Sequence, residues 1–381
     1  MRVAIVGCGV IGSAIAHELS QVPGLTITVL DQQAPAQAAT GAALGVLMAV
    51  ISQKTRGNAL QMRLTSIQRY DTWIPQLETL TGCRIPFNRH GILRLCFAGE
   101  DLDFWRSLAE IRREQGWQLD VCDRNHLAAH YPQLNLDGVI GAVYSPRDRQ
   151  VDPTALTLAL VAAAEQKGVT FLFDTAVTSA DCGDPPNPPS QGGQQGGPIR
   201  RIHTTADPLE TDWLVIAAGL GSTPLTAHLQ HPVEIRPVLG QAMHVRLSQP
   251  LGQPDLQPVI TGNDVHIVPL SGSDYWIGAT VEFPDPADVL KAAPLQPNPE
   301  LLAAMLQQAI AFYPALATAT VLRTWSGLRP RPHGRPAPII EPLPGYANVL
   351  LATGHYRNGV LLAPATAERV REAIATSDFG F

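Results

Sequence analysis

A glycine-rich hexapeptide stands near the start of the chain: Gly7-Cys8-Gly9-Val10-Ile11-Gly12, inside VAIVGCGVIGSAIAHEL, residues 3–19. The chemistry that suits this spacing is capture of a dinucleotide. The first glycine permits a tight turn, the second lets backbone approach a pyrophosphate, and the third lets the next helix settle on its sheet. The N-terminus of that helix then faces the phosphates. Asp31 lies 19 residues beyond Gly12, where an acid accepts hydrogen bonds from the adenosine ribose hydroxyls. NAD and FAD proteins share this fingerprint, so the hexapeptide leaves the choice of cofactor open. Elsewhere the sequence shows neither a Ser-His-Asp arrangement nor metal-ligand spacing. Its five cysteines (Cys8, Cys83, Cys96, Cys122, Cys182) are widely separated, which suggests reduced thiols in a reducing compartment.

These residues need elements to hold them. Residues 2–7 are apolar and suited to a strand, a helical pattern follows to about residue 21, and LTITVLD (25–31) forms a second strand ending in an acid. Residues 57–82 have helical periodicity, with Leu60, Leu64, Ile67, Tyr70 and Ile74 on one face. Residues 91–97 alternate like a strand and 100–116 read as helix. The stretch 152–168 reads as a helix with Asp152 as N-cap and Pro153 in its first position, and a strand follows. The segment CGDPPNPPSQGGQQGGP (182–198) cannot form a core and reads as a surface loop between strands. Residues 211–222 are a buried strand running into a turn at Gly219, strands dominate 232–283, and a helix covers about 299–312. Residues 348–375 repeat the order of strand, glycine turn and helix.

Strand-to-glycine-turn elements therefore stand at the start, middle and end of the chain. A cofactor touched by such distant pieces favours FAD, because NAD sites are usually completed within the first half of a chain. The expected fold is α/β: a Rossmann-like FAD-binding domain assembled from discontinuous segments (1–84, 140–222 and 322–381), with an inserted, mainly antiparallel β-sheet substrate domain (85–139 and 223–321). The composition fits this picture. The chain has 381 residues, 45% of them hydrophobic and 16% charged, with a net charge of −6. That balance lacks the basic stripe nucleic-acid binding needs. No stretch reaches the roughly 18 unbroken apolar residues of a membrane span. The expectation is a cytoplasmic protein; a homo-oligomer is left open.

The segments VAIVGCGVIGSAIAHEL, TGAALGVL, VDPTAL, ADPLETDWLVIAAGLGS, RPVLGQ, IVP…GATVE, WSGLRP and NVLLATGHYRNGVLLAPATAE occur in this order. Together they resemble the FAD-dependent amino-acid oxidase family that includes D-amino acid oxidase and sarcosine oxidase, and within it the bacterial glycine oxidases, which supply iminoglycine for thiamine biosynthesis. GHYRNGVLLAPAT is the most specific piece and the N-terminal glycines the least. The resemblance implies FAD contacts at Val10 and Ile11 in the pyrophosphate turn, and at Asp31 and Gln32 near the ribose. It implies others at Ala39 and Thr40, and at Leu44, Gly45 and Val46 beside the flavin. Val177 falls at an adenine contact, and His355, Tyr356, Arg357, Asn358, Gly359, Val360 and Leu361 form a loop closing on the isoalloxazine ring.

The resemblance also implies oxidation of an amino acid at Cα, with a hydride moving to flavin N5 and oxygen as acceptor. The substrate carboxylate needs a planar fork, which only arginine offers. Arg329 of WSGLRP matches the family's carboxylate-binding arginine, and Arg357 matches a second active-site arginine. No protein base is required, because the amine lone pair assists hydride departure. Asp31 stands where glycine oxidases usually have Glu, and Leu44-Gly45-Val46 where they usually have Ala-Gly-Met; on the substrate side His266 stands in place of a tyrosine, Asp264 in place of a histidine and Val281 in place of a methionine. His266 remains a candidate hydrogen-bond partner for the substrate. The side of the pocket facing the amine and side chain has therefore changed, so glycine, sarcosine, another small amine and a D-amino acid all stay open. An acceptor other than oxygen, such as a quinone, also stays open. The competing readings are an NAD-dependent dehydrogenase and a non-catalytic flavin-binding protein.

Overall fold

A computed structural model describes residues 1–182, 197–253, 255–285 and 296–375. Most of the 182–198 stretch lies outside the described residues.

A six-stranded sheet runs in the order Ile339–Pro342, Val349–Thr353, Trp213–Ile216, Arg2–Val6, Thr26–Leu30, Thr170–Leu172. All neighbours are parallel except the first pair. The register aligns Val6 with Ile216 and Ile216 with Leu351, so three strands end side by side and their glycine turns leave the same edge. Side chains alternate across the sheet. Val3 and Ile5 enter a core shared with the helices Val10–Leu19, Asn58–Thr81, Pro153–Glu165 and Gly359–Ala375. Ala4 and Val6 face the other way, toward Ile199, Ile202, Leu214 and Ile216. Local signals agree with the helix starts: Asp152 accepts the Ala155 N–H at 2.9 Å, with Pro153 following.

An eight-stranded sheet follows the order Thr320–Pro332, Ile235–Arg246, Asp274–Gly278, Val265–Pro269, Val259–Gly262, Ile92–Phe97, Val139–Ser145, Asp120–Cys122. It is antiparallel but for the pairing of Val259–Gly262 with Ile92–Phe97. Two of its members, Val139–Ser145 and Thr320–Pro332, fall almost wholly in stretches expected with the nucleotide-binding part. Strand partners are chosen by distant pairing, and neither segment carries a local mark of it.

One face of this sheet packs on the helix Pro299–Phe312 through Met243, Ile260, Ile267 and Ile277. The opposite face presents Ala242, Val268, Trp276 and Trp325 to Leu60 and Leu64 of the helix Asn58–Thr81 and to Leu44 and Val50 of the stretch before it. The Trp325 indole N–H donates to the Ala42 carbonyl at 3.0 Å across this junction. A small sheet of Val46–Leu47, Arg149–Val151 and Phe87–Asn88 strengthens it.

Candidate active site

The N-terminal turn has the form a pyrophosphate requires. Gly7 has φ +107°, and a Cβ there would lie 2.6 Å from the Ala217 carbonyl oxygen. A Cβ on Gly12 would lie 1.8 Å from the Gly7 oxygen, so the helix can sit against the turn only without side chains at these positions. The helix Val10–Leu19 starts at Gly9 with no side-chain cap of its own. Thr40 Oγ1 accepts the Val10 N–H at 3.0 Å. The N–H groups of Ile11 and Gly12 lie beyond reach of the helix's own carbonyls, as first-turn amides do, and form a ready anion cradle. Asp31 braces the turn: Oδ2 accepts the Cys8 N–H at 2.6 Å and Oδ1 the Gln33 N–H at 2.9 Å. Each oxygen keeps acceptor capacity for a ribose hydroxyl. Gln32 is exposed and Ala39 is half-buried. Val177 lines a small apolar crevice with Val6, Ile216 and Leu225. Gly219 stands in the turn after the Trp213–Ile216 strand, its carbonyl accepting the Thr353 hydroxyl at 3.3 Å.

Two further segments converge on the same edge. Leu44 is buried and its carbonyl accepts the Gln150 side-chain amide at 3.0 Å. Gly45 has φ +70°, and its carbonyl takes the Val151 N–H at 3.1 Å; Val46 then pairs with Gln150. The chain beyond is held on both sides. Asp148, fully buried, accepts the N–H groups of Ala49 and Val50 at 2.8 Å and of Ile51 at 2.9 Å. Burial pushes its carboxyl up from the ordinary carboxylate range, against the pull of these amides. Arg112, also fully buried, donates to the carbonyls of Val50, Ser52 and Lys54 at 2.8, 2.7 and 2.6 Å.

The second segment is the loop from His355 to Leu361. His355 is buried and its Nε2 lies 2.9 Å from Thr366 Oγ1. Burial lowers its pKa to about 3, so it stands neutral behind the loop. Tyr356 has φ +54°. Asn358 Oδ1 accepts from Arg63 Nη2 at 2.9 Å, and the Tyr70 hydroxyl donates to the Val360 carbonyl. Gly359 opens the helix that buries Val360 and Leu361.

The arginines and His266 meet on the sheet face turned toward these loops. Arg329 is registered with Val238, and four residues before it Trp325 is registered with Ala242, then Gly278, then His266. The period of two puts Arg329 and His266 on one face. The Arg329 guanidinium lies flat over Gly240, where a Cβ would come within 2.2 Å of both Nη atoms. Its Nη1 donates to the Leu239 carbonyl at 3.0 Å, leaving the rest of the fork open. Burial lowers the Arg329 pKa first, and the nearby Arg357 charge adds to that, while Tyr356 and Glu282 oppose it. Among the described residues no carboxylate lies within 4.0 Å of Arg329 or the exposed Arg357. Beside them the Arg331 guanidinium stacks on Phe283 (5.5 Å) and Tyr356 (5.7 Å). His266 Nδ1 lies 2.9 Å from Thr261 Oγ1. Burial chiefly, then the charge of Arg357, lowers its pKa to about 4, with Asp264 opposing and Arg329 adding. His266 is therefore neutral at ordinary pH. Asp264 and Val281 are exposed.

All the expected site residues thus lie on the strand-end edge, in the two loops, in the crevice at Val177 or on the facing sheet. Sequence reasoning missed Gly240, Arg63, Asp148, Arg112 and Arg331. Gly240 sits in RPVLGQ, a segment the family resemblance had marked without a role. The other four are charged residues whose burial or stacking only the tertiary structure reveals.

The family model for FAD dependent oxidoreductases (DAO) matches residues 2–373. The chain is 32% identical over 379 residues to the bifunctional protein ThiO/ThiG of Synechocystis sp., covering 98% of this chain and 51% of that protein. It thus spans about half the length of the curated ThiO/ThiG relatives it matches. Glycine oxidase of Geobacillus kaustophilus is 28% identical over 391 residues, covering 100% of this chain and 94% of that one. The crystal structure of glycine oxidase from G. kaustophilus superposes with a TM-score of 0.83 at 25% identity, covering 100% of this chain and 96% of that one. The match of the family model to residues 2–373, over a sheet in which three strands end in glycine turns at one edge, establishes that this chain belongs to the family of FAD-dependent oxidoreductases.

Proposed function

We propose that this enzyme oxidises a small α-amino acid or amine, of the glycine or sarcosine kind, at the carbon bearing nitrogen, with oxygen as the final acceptor. FAD is seated by the turn at Gly7–Gly12, by Asp31, and by the segments around Leu44–Val46 and His355–Leu361. The observation that carries the reading is the open fork of Arg329, held flat over Gly240 with no carboxylate partner among the described residues, on the face that looks toward those two segments. Bound flavin supplies the two-electron acceptor, so the protein's work is binding and orientation. Arg329 takes the substrate carboxylate in bidentate fashion. Arg357 adds a second positive charge and helps hold the anion. His266 stays neutral and offers Nε2 as a hydrogen-bonding atom, not as a base. The substrate amine gives its proton to water before oxidation, and its lone pair then assists hydride departure. The ThiO/ThiG and glycine oxidase relatives support glycine as substrate and thiamine biosynthesis as setting.

Anaerobic mixing with a panel of small amines and amino acids tests this. Glycine or sarcosine should bleach the flavin, and admitted air should restore the colour with hydrogen peroxide formed. Bleaching that air fails to reverse, but a quinone does, would overturn the oxygen assignment. Absence of bleaching across the panel would overturn the reading itself.

A further inference from the structure

The two segments assigned to the flavin come from opposite ends of the chain, and no strand pairs one with the other. Arg63, on the helix Asn58–Thr81, spans them. Its Nη1 donates to the Met48 carbonyl at 2.8 Å and its Nη2 to Asn358 Oδ1 at 2.9 Å. Ser66 and Tyr70, three and seven residues further along, share its helix face. Ser66 Oγ accepts the Ala365 N–H at 3.3 Å, and the Tyr70 hydroxyl donates to the Val360 carbonyl. One helix face thus carries a polar stripe against the closing loop and the helix that follows, and Arg63 alone in that stripe also reaches the segment at Met48.

The environment argues that Arg63 is there for this bridge. It is half-buried, and burial lowers its pKa. Among the described residues no carboxylate lies within 4.0 Å of it. Asp148, the acid that influences it, is already engaged by three backbone amides. A guanidinium partly withdrawn from water, with no paired anion among the described residues, is costly, and what offsets the cost here is two acceptors, one from each segment. The planar fork holds both at fixed separation, which one ammonium on a flexible stem cannot do.

We propose that Arg63 is a positioning residue for FAD: it locks the Leu44–Met48 segment to the His355–Leu361 loop, and the flavin seat is complete only when both of its hydrogen bonds are made. It touches neither substrate nor the reacting atoms and acts through Met48 and Asn358. The inference rests on the proposal that these two segments seat the flavin, and the test separates the two.

The variants are Arg63→Met, Arg63→Lys, Asn358→Leu and the double Arg63→Met/Asn358→Leu. FAD affinity of the deflavinated protein is read from quenching of flavin fluorescence, with the melting temperature of each apo variant recorded. Losing two charge-assisted bonds should weaken FAD binding about ten- to hundredfold in Arg63→Met, and by an intermediate factor in Arg63→Lys, which keeps one bond. The double variant should bind FAD no more weakly than the worse single variant by more than about threefold, because both singles break the same bridge. If Asn358→Leu weakens FAD while Arg63→Met leaves it within about threefold of wild type, the latch is wrong and the seat stands. If neither matters, the seat assignment falls and the latch with it. Should Arg63→Met fail to fold, Arg63→Lys decides, and an unchanged affinity there overturns the proposal. Additive losses in the double variant would do so as well.

Discussion

Arg329→Ala is the perturbation with the sharpest expected outcome. Nη1 is engaged by the Leu239 carbonyl, so the remaining fork offers two outward N–H bonds to a carboxylate. Each charge-assisted bond contributes about 1.5–3 kcal/mol, and removing both should cost roughly 3–6 kcal/mol of kcat/KM, about a hundred- to ten-thousandfold. The loss should appear mainly in the substrate concentration needed for half-maximal flavin reduction, since the carboxylate is held alike before and during oxidation. FAD should remain bound, because no cofactor contact is assigned to Arg329. The assay is anaerobic stopped-flow reduction over a range of glycine or sarcosine concentrations, with the flavin content of each preparation measured. An apparent dissociation constant within about threefold of wild type would refute the carboxylate assignment. Loss of bound FAD would refute the claim that this arginine acts on substrate alone.

Gly240→Ala should displace the Arg329 guanidinium, because the new Cβ would fall 2.2 Å from both Nη atoms; KM should rise about tenfold with FAD affinity unchanged, as titration and steady-state kinetics will read. Asp148→Asn should lower the unfolding free energy by about 2–4 kcal/mol in denaturant titrations, since a neutral amide cannot accept three backbone N–H groups as the buried carboxylate does. His17, His266 and His355 have pKa values lowered by burial to about 4, 4 and 3. In the unfolded chain these groups bind protons near pH 6.5, so the stability they contribute is present above that pH and is lost as pH falls toward 4. The melting temperature should drop over this window, and His355→Asn should flatten the drop; an unchanged slope would contradict the burial argument.

How far the sequence alone reaches can be judged residue by residue. The hexapeptide at Gly7, the acid at Asp31 and the helix start at Asp152 are local signals, complete within a few residues, and the structure has them where they were expected. The three strand-end turns were legible as similar pieces, and their adjacency in one sheet follows from the rule that ligands gather at the carboxyl ends of parallel strands. The eight-stranded sheet was only half legible. Thr320–Pro332 holds two prolines, Pro330 and Pro332, yet runs as an edge strand, where missing N–H groups are tolerated. Arg63 and Asp148 were invisible for another reason: a charged residue in a helix or loop looks solvated until tertiary structure buries it, and nothing in the neighbouring letters distinguishes Arg63 from the exposed Arg56. The departures at His266, Asp264 and Val281 were legible only against the family pattern. Two of the three prove exposed, which leaves His266 as the one that bears on the pocket face.

The claim on which the account turns is that a small carboxylate and the flavin share one cleft through Arg329. A crystal structure of the protein with FAD and acetate, the simplest analogue of the substrate's acid end, tests it directly. The isoalloxazine ring should lie between the Leu44–Val46 and His355–Leu361 segments, with acetate forked by Arg329 above it. Acetate bound elsewhere, or an Arg329 side chain turned away from the ring, would contradict it.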